Sequence, residues 1–223
     1  MNIEKCWYKG ICKNECSSSC VRFVVMNNLC EGAHLPMKLR FPPDLYPDNV
    51  DYDSFIFLQD WKENVVDHTE NGDNLYIYST HCGNGKTSWS AKIIMKYFDK
   101  IWHYAGLNCM ALYISIPEFL IKSKSHFKQD TLEFEEFLEL AKTVPLVVWD
   151  DITDFDSLTE YEKTTMLALL DTRFNNNLSN IFTGNILKDN MRGDVSQRIY
   201  SRLWNYCDTV EFKGNDRRGD KDY

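Results

Sequence analysis

Apolar positions along the chain follow two rhythms, and these alternate. From Asp53 to His68, Phe55, Leu58, Trp61, Val65 and Val66 recur near helical spacing, predicting a helix that Asn71, Gly72 and Asp73 end. Leu75 to Ser79 is a short β-rich run, and a loop and a helix follow it through about Tyr104. Cys109 to Ile116 predicts a second strand, and Pro117 opens a helix, a place that suits a residue with no N–H to satisfy. Lys122 to Gln129 is polar and basic and predicts an exposed loop, and Leu132 to Ala141 predicts an acidic amphipathic helix. Further on come a buried strand at Leu146–Trp149, a long helix over Thr159–Asn176 and a strand at Asn180–Thr183. A helix over Val195–Tyr206 and a short strand at Thr209–Phe212 complete the pattern. Repeated strand–helix alternation implies an α/β fold, a parallel sheet covered by helices on both faces.

Pro36, Pro42, Pro43 and Pro47 predict a stiff, extended connector. The chain is therefore expected to divide into a cysteine-rich segment (1–35), a proline-rich linker (36–52) and the α/β domain (53–223). No internal repeat or low-complexity segment is visible.

At 223 residues and 43% hydrophobic, the chain can bury a core. No run approaches the roughly 18 apolar residues a membrane span requires, and Met1 to Cys6 carries no secretory pattern. These features predict a cytoplasmic protein with no membrane partner. A formal charge of −8 argues against a protein that coats nucleic acid indiscriminately, because that needs a broad basic surface.

Ser79 to Thr87 joins a predicted strand to a predicted helix and contains Cys82, Gly83, Asn84, Gly85, Lys86 and Thr87, with Ser88 next. Backbone N–H groups of such a loop can converge on phosphate oxygens, and the helix N-terminus adds partial positive charge. Lys86 would reach the outer phosphates, and the Thr87 hydroxyl would bind Mg²⁺. The usual pattern opens with a glycine where this chain has Thr80, a β-branched residue that restricts the first bend. A second motif supports the first: the apolar run Leu146–Trp149 ends in Asp150 and Asp151. Asp150 would help to hold Mg²⁺, and Asp151 would polarise the attacking water. Together they predict an ATP site.

With both motifs in place, the stretch from about Asn74 to Phe212 resembles the AAA+ ATPases that load replicative DNA helicases in bacteria and phages, the DnaC/DnaI type. Leu112 to Leu120 resembles the family's second strand running into a Pro-led helix, and Thr159 to Asn177 its helix before the sensor strand. Ile181 to Asn185 resembles the sensor strand itself. The resemblance implies that Asn185 contacts the γ-phosphate or the attacking water. It also implies that an arginine on the 195–206 helix, Arg202 first and Arg198 second, reaches a neighbouring subunit's γ-phosphate. Hydrolysis would then depend on self-association through the ATPase domain. Asp151 stands where many AAA+ proteins have glutamate, so turnover would be slow. The usual helical lid is expected to be reduced or absent, with Arg217 and Arg218 as candidate nucleotide contacts or a solvated basic tail.

Five of the eight cysteines lie at Cys6, Cys12, Cys16, Cys20 and Cys30. Cys6, Cys12, Cys16 and Cys20 suggest tetrahedral zinc, with Cys30 or His34 as substitutes; an iron–sulfur cluster and ordinary reduced thiols remain alternatives. A metal would supply folding energy that so short a subdomain lacks. If Cys12, Cys16 and Cys20 share a helix, they share a face. Lys5, Lys9, Lys13 and Arg22, interleaved with Trp7, Tyr8 and Phe23, would serve nucleic acid or a docking face for a helicase. Lys122 to Lys128 is the better candidate for single-stranded DNA.

The function expected from all this is ATP-dependent loading of a hexameric replicative helicase, with ATP, Mg²⁺ and zinc as cofactors and single-stranded DNA as a second partner. Competing readings are an ATPase that regulates transposition, a zinc-containing adaptor that holds ATP without turnover, and a metabolic P-loop kinase.

Overall fold

The computed structural model describes residues 6–12, 17, 19–47, 49–128, 132–152, 158–185 and 194–214, with side chains of 125–128 and 194–196 left out. Its centre is a five-stranded parallel sheet: β1 (Asn74–Tyr78), β2 (Ala111–Ser115), β3 (Leu146–Ile152), β4 (Ser179–Gly184) and β5 (Asp208–Glu211), in the order β2-β3-β4-β1-β5. Side chains alternate across the sheet. Leu75, Ile77, Tyr113, Val148 and Ile181 join the core on one face, and Tyr76, Leu112, Val147, Trp149 and Phe182 that on the other.

The first face is covered by α1 (Val21–Gly32), α2 (Tyr52–Glu63), α3 (Val65–Asn71) and α4 (Lys86–Ala105). Opposite lie α5 (Ile116–Lys128), α6 (Leu132–Thr143), α7 (Glu160–Asn175) and α8 (Asp194–Asn205). The strands and the helix faces expected from periodicity are present. The helix expected over 53–68 is two helices, broken at Asn64, whose side chain bonds the Asp60 carbonyl at 3.1 Å and departs from helical backbone at φ −101°. The expected loop at Lys122–Gln129 is helical as far as Lys128 and buries Ser123 completely.

Residue 35 is no boundary of the core. Met26, Leu29, Cys30, Ala33, Leu35 and Leu39 pack in the same apolar cluster as Trp89, Ile93 and Ile94 of α4. The Ala33 carbonyl accepts the Tyr113 N–H at 2.8 Å, satisfying a donor of edge strand β2. After a 3-10 turn at Met37–Leu39, the proline stretch lies along α4, with Asp44 3.6 Å from Lys92.

The same packing consumes the residues expected to form a docking face. The Trp7 indole donates to the Arg40 carbonyl at 2.7 Å and stacks on Phe41. Tyr8 and Arg22 both bond Asp99 of α4, with the guanidinium 3.4 Å above the Tyr8 ring, and Phe23 is buried. Lys9 is exposed, while Lys5 and Lys13 lie outside the described residues.

Helix α7 starts from a capping box: Thr159 N–H donates to Glu162 Oε2 at 2.8 Å, and Glu162 N–H to the Thr159 hydroxyl. Burial would raise the Glu162 carboxyl, but its hydrogen bonds from Thr159 and the Lys124 ammonium outweigh this and hold it below the usual range. A lowered acid stabilises the fold above its unfolded pKa and loses that contribution as pH falls through the folded value. Glu162→Gln is therefore expected to cost about 1 kcal/mol at pH 7, with the gap to wild type closing below about pH 4. Urea unfolding at the two pH values measures this.

Candidate active site

The carboxyl ends of β1, β3 and β4 bring the nucleotide motifs together. Beyond β1, the loop from Ser79 to Gly85 turns into α4, with Gly83 and Gly85 in the left-handed region at φ 77° and 96°, where glycine is strain-free. Asn84 locks the loop from beneath: it is buried and donates to the Ser79 hydroxyl at 2.5 Å, while that hydroxyl also accepts the His81 N–H. Gly85, at the N-cap of α4, supplies no side-chain cap. Lys86 Nζ donates to the His81 carbonyl at 2.9 Å and to Asn84 Oδ1 at 3.2 Å, which places its ammonium over the loop. Cys82 is exposed beside the glycines, and Ser88 follows in the first helical turn.

The two expected magnesium ligands are in contact: Thr87 Oγ1 donates to Asp150 Oδ1 at 3.0 Å. A hydroxyl beside a carboxylate is a hard, all-oxygen pair, the donor type Mg²⁺ takes in nucleotide sites, so the residues fit the ion. Asp150 is 7% exposed, whereas Asp151 is exposed and held at φ 62°, an uncommon conformation for aspartate. At this point β3 and β4 shift register between Trp149 and Ile152. The Asp151 N–H donates to the Thr183 hydroxyl at 2.9 Å, and Thr183 in turn donates to Asp150 Oδ1 at 2.7 Å. Asn185 is exposed just past Gly184, whose carbonyl accepts the Ser79 N–H at 3.2 Å, so the end of β4 lies against the start of the loop.

The arginines lie elsewhere. Arg202 is ion-paired with Asp171 of α7 and donates to the Arg198 carbonyl at 2.7 Å; Arg198 meets the same aspartate at 3.3 Å. Arg202 and Asp171 line an open polar cleft of about 650 Å³, along with Asn74 and Asp208 at the amino ends of β1 and β5. It sits at the amino ends of the strands, the opposite end of the sheet from the phosphate loop.

The sulfur cluster expected near the N-terminus is not assembled among the described residues, where no group of three His, Cys, Asp or Glu side chains is placed to hold a metal. Cys6 is half-buried, Cys12 is exposed and outside any helix, and Cys20 precedes α1, which starts at Val21; Cys16 lies outside the described residues. Cys30, the possible substitute, is buried among apolar side chains, and burial pushes its thiol up to about 12. Arg217 and Arg218 also lie outside the described residues. Among the described residues no helix follows β5, and no helix is long and apolar enough to cross a membrane.

This arrangement has counterparts in known proteins. The replicative helicase loader DnaI of Bacillus subtilis is 27% identical over 175 residues, 73% of this chain and 51% of that protein. A crystal structure of DnaI superposes with a TM-score of 0.62 at 23% identity, covering 82% of this chain and 94% of that one. AMPPCP-bound DnaA from Aquifex aeolicus superposes with a TM-score of 0.60 at 20% identity, covering 78% of this chain and 50% of that one. The fold is shared with the crystal structures of the DnaC helicase loader and of DnaA. No protein-family model matches the sequence. The sequence similarity is thus to the helicase loader DnaI, and the chain spans about half the length of the curated relative it matches.

Tyr113 and Thr183 are the residues that motif reading passed over. Strand parity offered a signal, since both lie on the α4-facing side of the sheet with Asp150.

Proposed function

We propose that this chain is a Mg²⁺-dependent ATPase that loads a replicative DNA helicase. The observation that carries the reading is the contact between Thr87 and Asp150, which joins the two nucleotide motifs at the mouth of the sheet in a chain homologous to DnaI. In this reading Gly83 to Ser88 cradle the phosphates with backbone N–H groups, and the Lys86 ammonium neutralises the outer oxygens. Thr87 and Asp150 hold magnesium, which when bound supplies charge stabilisation to the transferring phosphoryl group. Asp151 orients the attacking water, and Asn185 contacts that water or the γ-phosphate. Arg202, or Arg198, acts in a neighbouring subunit after exchanging Asp171 for a phosphate. Single-stranded DNA and a hexameric helicase are the proposed partners, with turnover dependent on self-association.

Asp151→Asn provides the test. Turnover in the presence of helicase and single-stranded DNA is expected to fall about 100-fold or more, with Mg·ATP affinity held within about 3-fold because in this reading Asp151 orients the water and binds neither phosphate nor metal. Equal turnover in wild type and variant would remove Asp151 from the mechanism. Background turnover in both, with ATP still bound, would favour an adaptor that holds ATP as a structural ligand. Co-purification with a transposase in place of a helicase would favour the transposition reading.

A further inference from the structure

Three hydroxyls converge on the Asp150 carboxylate, and only one of them belongs to the phosphate loop. Thr87 and Thr183 donate to Oδ1 at 3.0 and 2.7 Å, and Tyr113 donates to Oδ2 at 2.5 Å. Tyr113 and Thr183 come from β2 and β4, the strands flanking β3. The placement follows from register: Tyr113 pairs with Val148, so its side chain lies diagonal to Asp150 on the same face, while Phe182 pairs with Trp149, so Thr183 meets the bulge formed by the two acids.

Neither hydroxyl sits there by default. Thr183 is 1% exposed, and a buried hydroxyl without partners is costly. Here it accepts from the Asp151 N–H and donates to Asp150, so one oxygen ties both acids together. Tyr113 is 6% exposed, and its phenol O–H is a donor whose acceptor here is the Asp150 carboxylate. A carboxylate has about four lone-pair directions; among the described residues, three are taken.

We propose that Tyr113 and Thr183 are positioning residues that orient the Asp150 carboxylate, leaving one lone pair of Oδ2 for a nucleotide-bound divalent cation or its water. Thr183 also holds the Asp151 backbone in its left-handed conformation through the same hydroxyl. The inference rests on the nucleotide-site reading above and deepens it. Groups that orient a metal ligand change metal affinity or activity by about 10- to 100-fold when removed.

The experiment is a Mg²⁺ titration of the binding of a fluorescent ADP to the full chain, read as the midpoint in Mg²⁺, beside the affinity measured in EDTA. Tyr113→Phe and Thr183→Val remove the hydroxyls at nearly constant volume, Thr183→Ser restores one, and Asp150→Asn removes the ligand itself. Expected are midpoints raised about 10-fold or more in the Phe and Val variants, a Ser variant close to wild type, and affinities in EDTA that stay within about 2-fold of it. A purely packing role would change melting temperature without moving the Mg²⁺ midpoint selectively. Unchanged midpoints in both folded variants, with Asp150→Asn raised, would overturn the positioning role and leave the site reading intact. If Thr183→Val does not fold, Tyr113→Phe decides alone. Wild-type binding that ignores Mg²⁺ and matches Asp150→Asn would sink the site reading and this inference together.

Discussion

Lys86→Ala is expected to abolish measurable Mg·ATP binding. The ammonium lies over the loop, bonded to one carbonyl and one side-chain amide oxygen, both neutral acceptors. Phosphate oxygens are stronger partners, because a hydrogen bond to a charged group contributes about 1.5–3 kcal/mol where a neutral one contributes about 1. Losing even one such bond at the upper end weakens binding by about 100-fold. Calorimetry with nucleotide-free protein reads the effect, and a melting curve confirms that the variant is folded. Full wild-type heat from folded Lys86→Ala protein would mean that the triphosphate binds elsewhere, and the proposed function would fall with the pocket.

The largest expected effect on stability lies far from that pocket, at Arg173. Its side chain is completely buried at the end of α7, and burial pushes its pKa down to about 9, so it is still a cation at pH 7. All its N–H groups find neutral oxygens: Asn180 Oδ1 at 2.6 Å, the Ala141 and Val144 carbonyls at 2.8 and 2.9 Å, and those of Pro145 and Ser179 at 3.4 and 2.7 Å. One guanidinium thus fastens the end of α6 to the start of β4. Arg173→Ala strips several buried acceptors at once and opens a cavity, a cost of roughly 3–5 kcal/mol. For a chain of this size that lowers the melting temperature by on the order of 10 °C. Arg173→Lys should rescue little, since a compact ammonium cannot span a planar fork of acceptors. A melting temperature within about 2 °C of wild type in Arg173→Ala would refute this account.

Arg173 also shows where sequence reading stops. In the sequence it is one polar residue in a helix with weak periodicity, and its burial depends on carbonyls contributed by α6 and β4. The strands were legible because Leu75–Tyr78, Leu112–Ile114, Leu146–Trp149 and Ile181–Thr183 are short apolar runs between turn signals. The convergence of Lys86, Thr87 and Asp150 beside Gly83 and Gly85 was legible because the proposed phosphate and magnesium sites would demand those residue types at strand ends. The 122–128 segment misled because its lysines suggest a loop, while lysine is also a good helix former and Ser123 turns inward. Phe23, Met26, Leu29 and Cys30 already carried helical spacing, but the proline run after them drew the boundary in the wrong place.

That misplaced boundary matters for anyone shortening the protein. Removing residues up to the prolines would strip a flank of α4 and leave the outer N–H of Tyr113 bare on an edge strand, a template for pairing with another molecule. Residues 19–40 are therefore not a detachable module: α4 and the sheet rely on them as a wall, and a trimmed version is a candidate for aggregation.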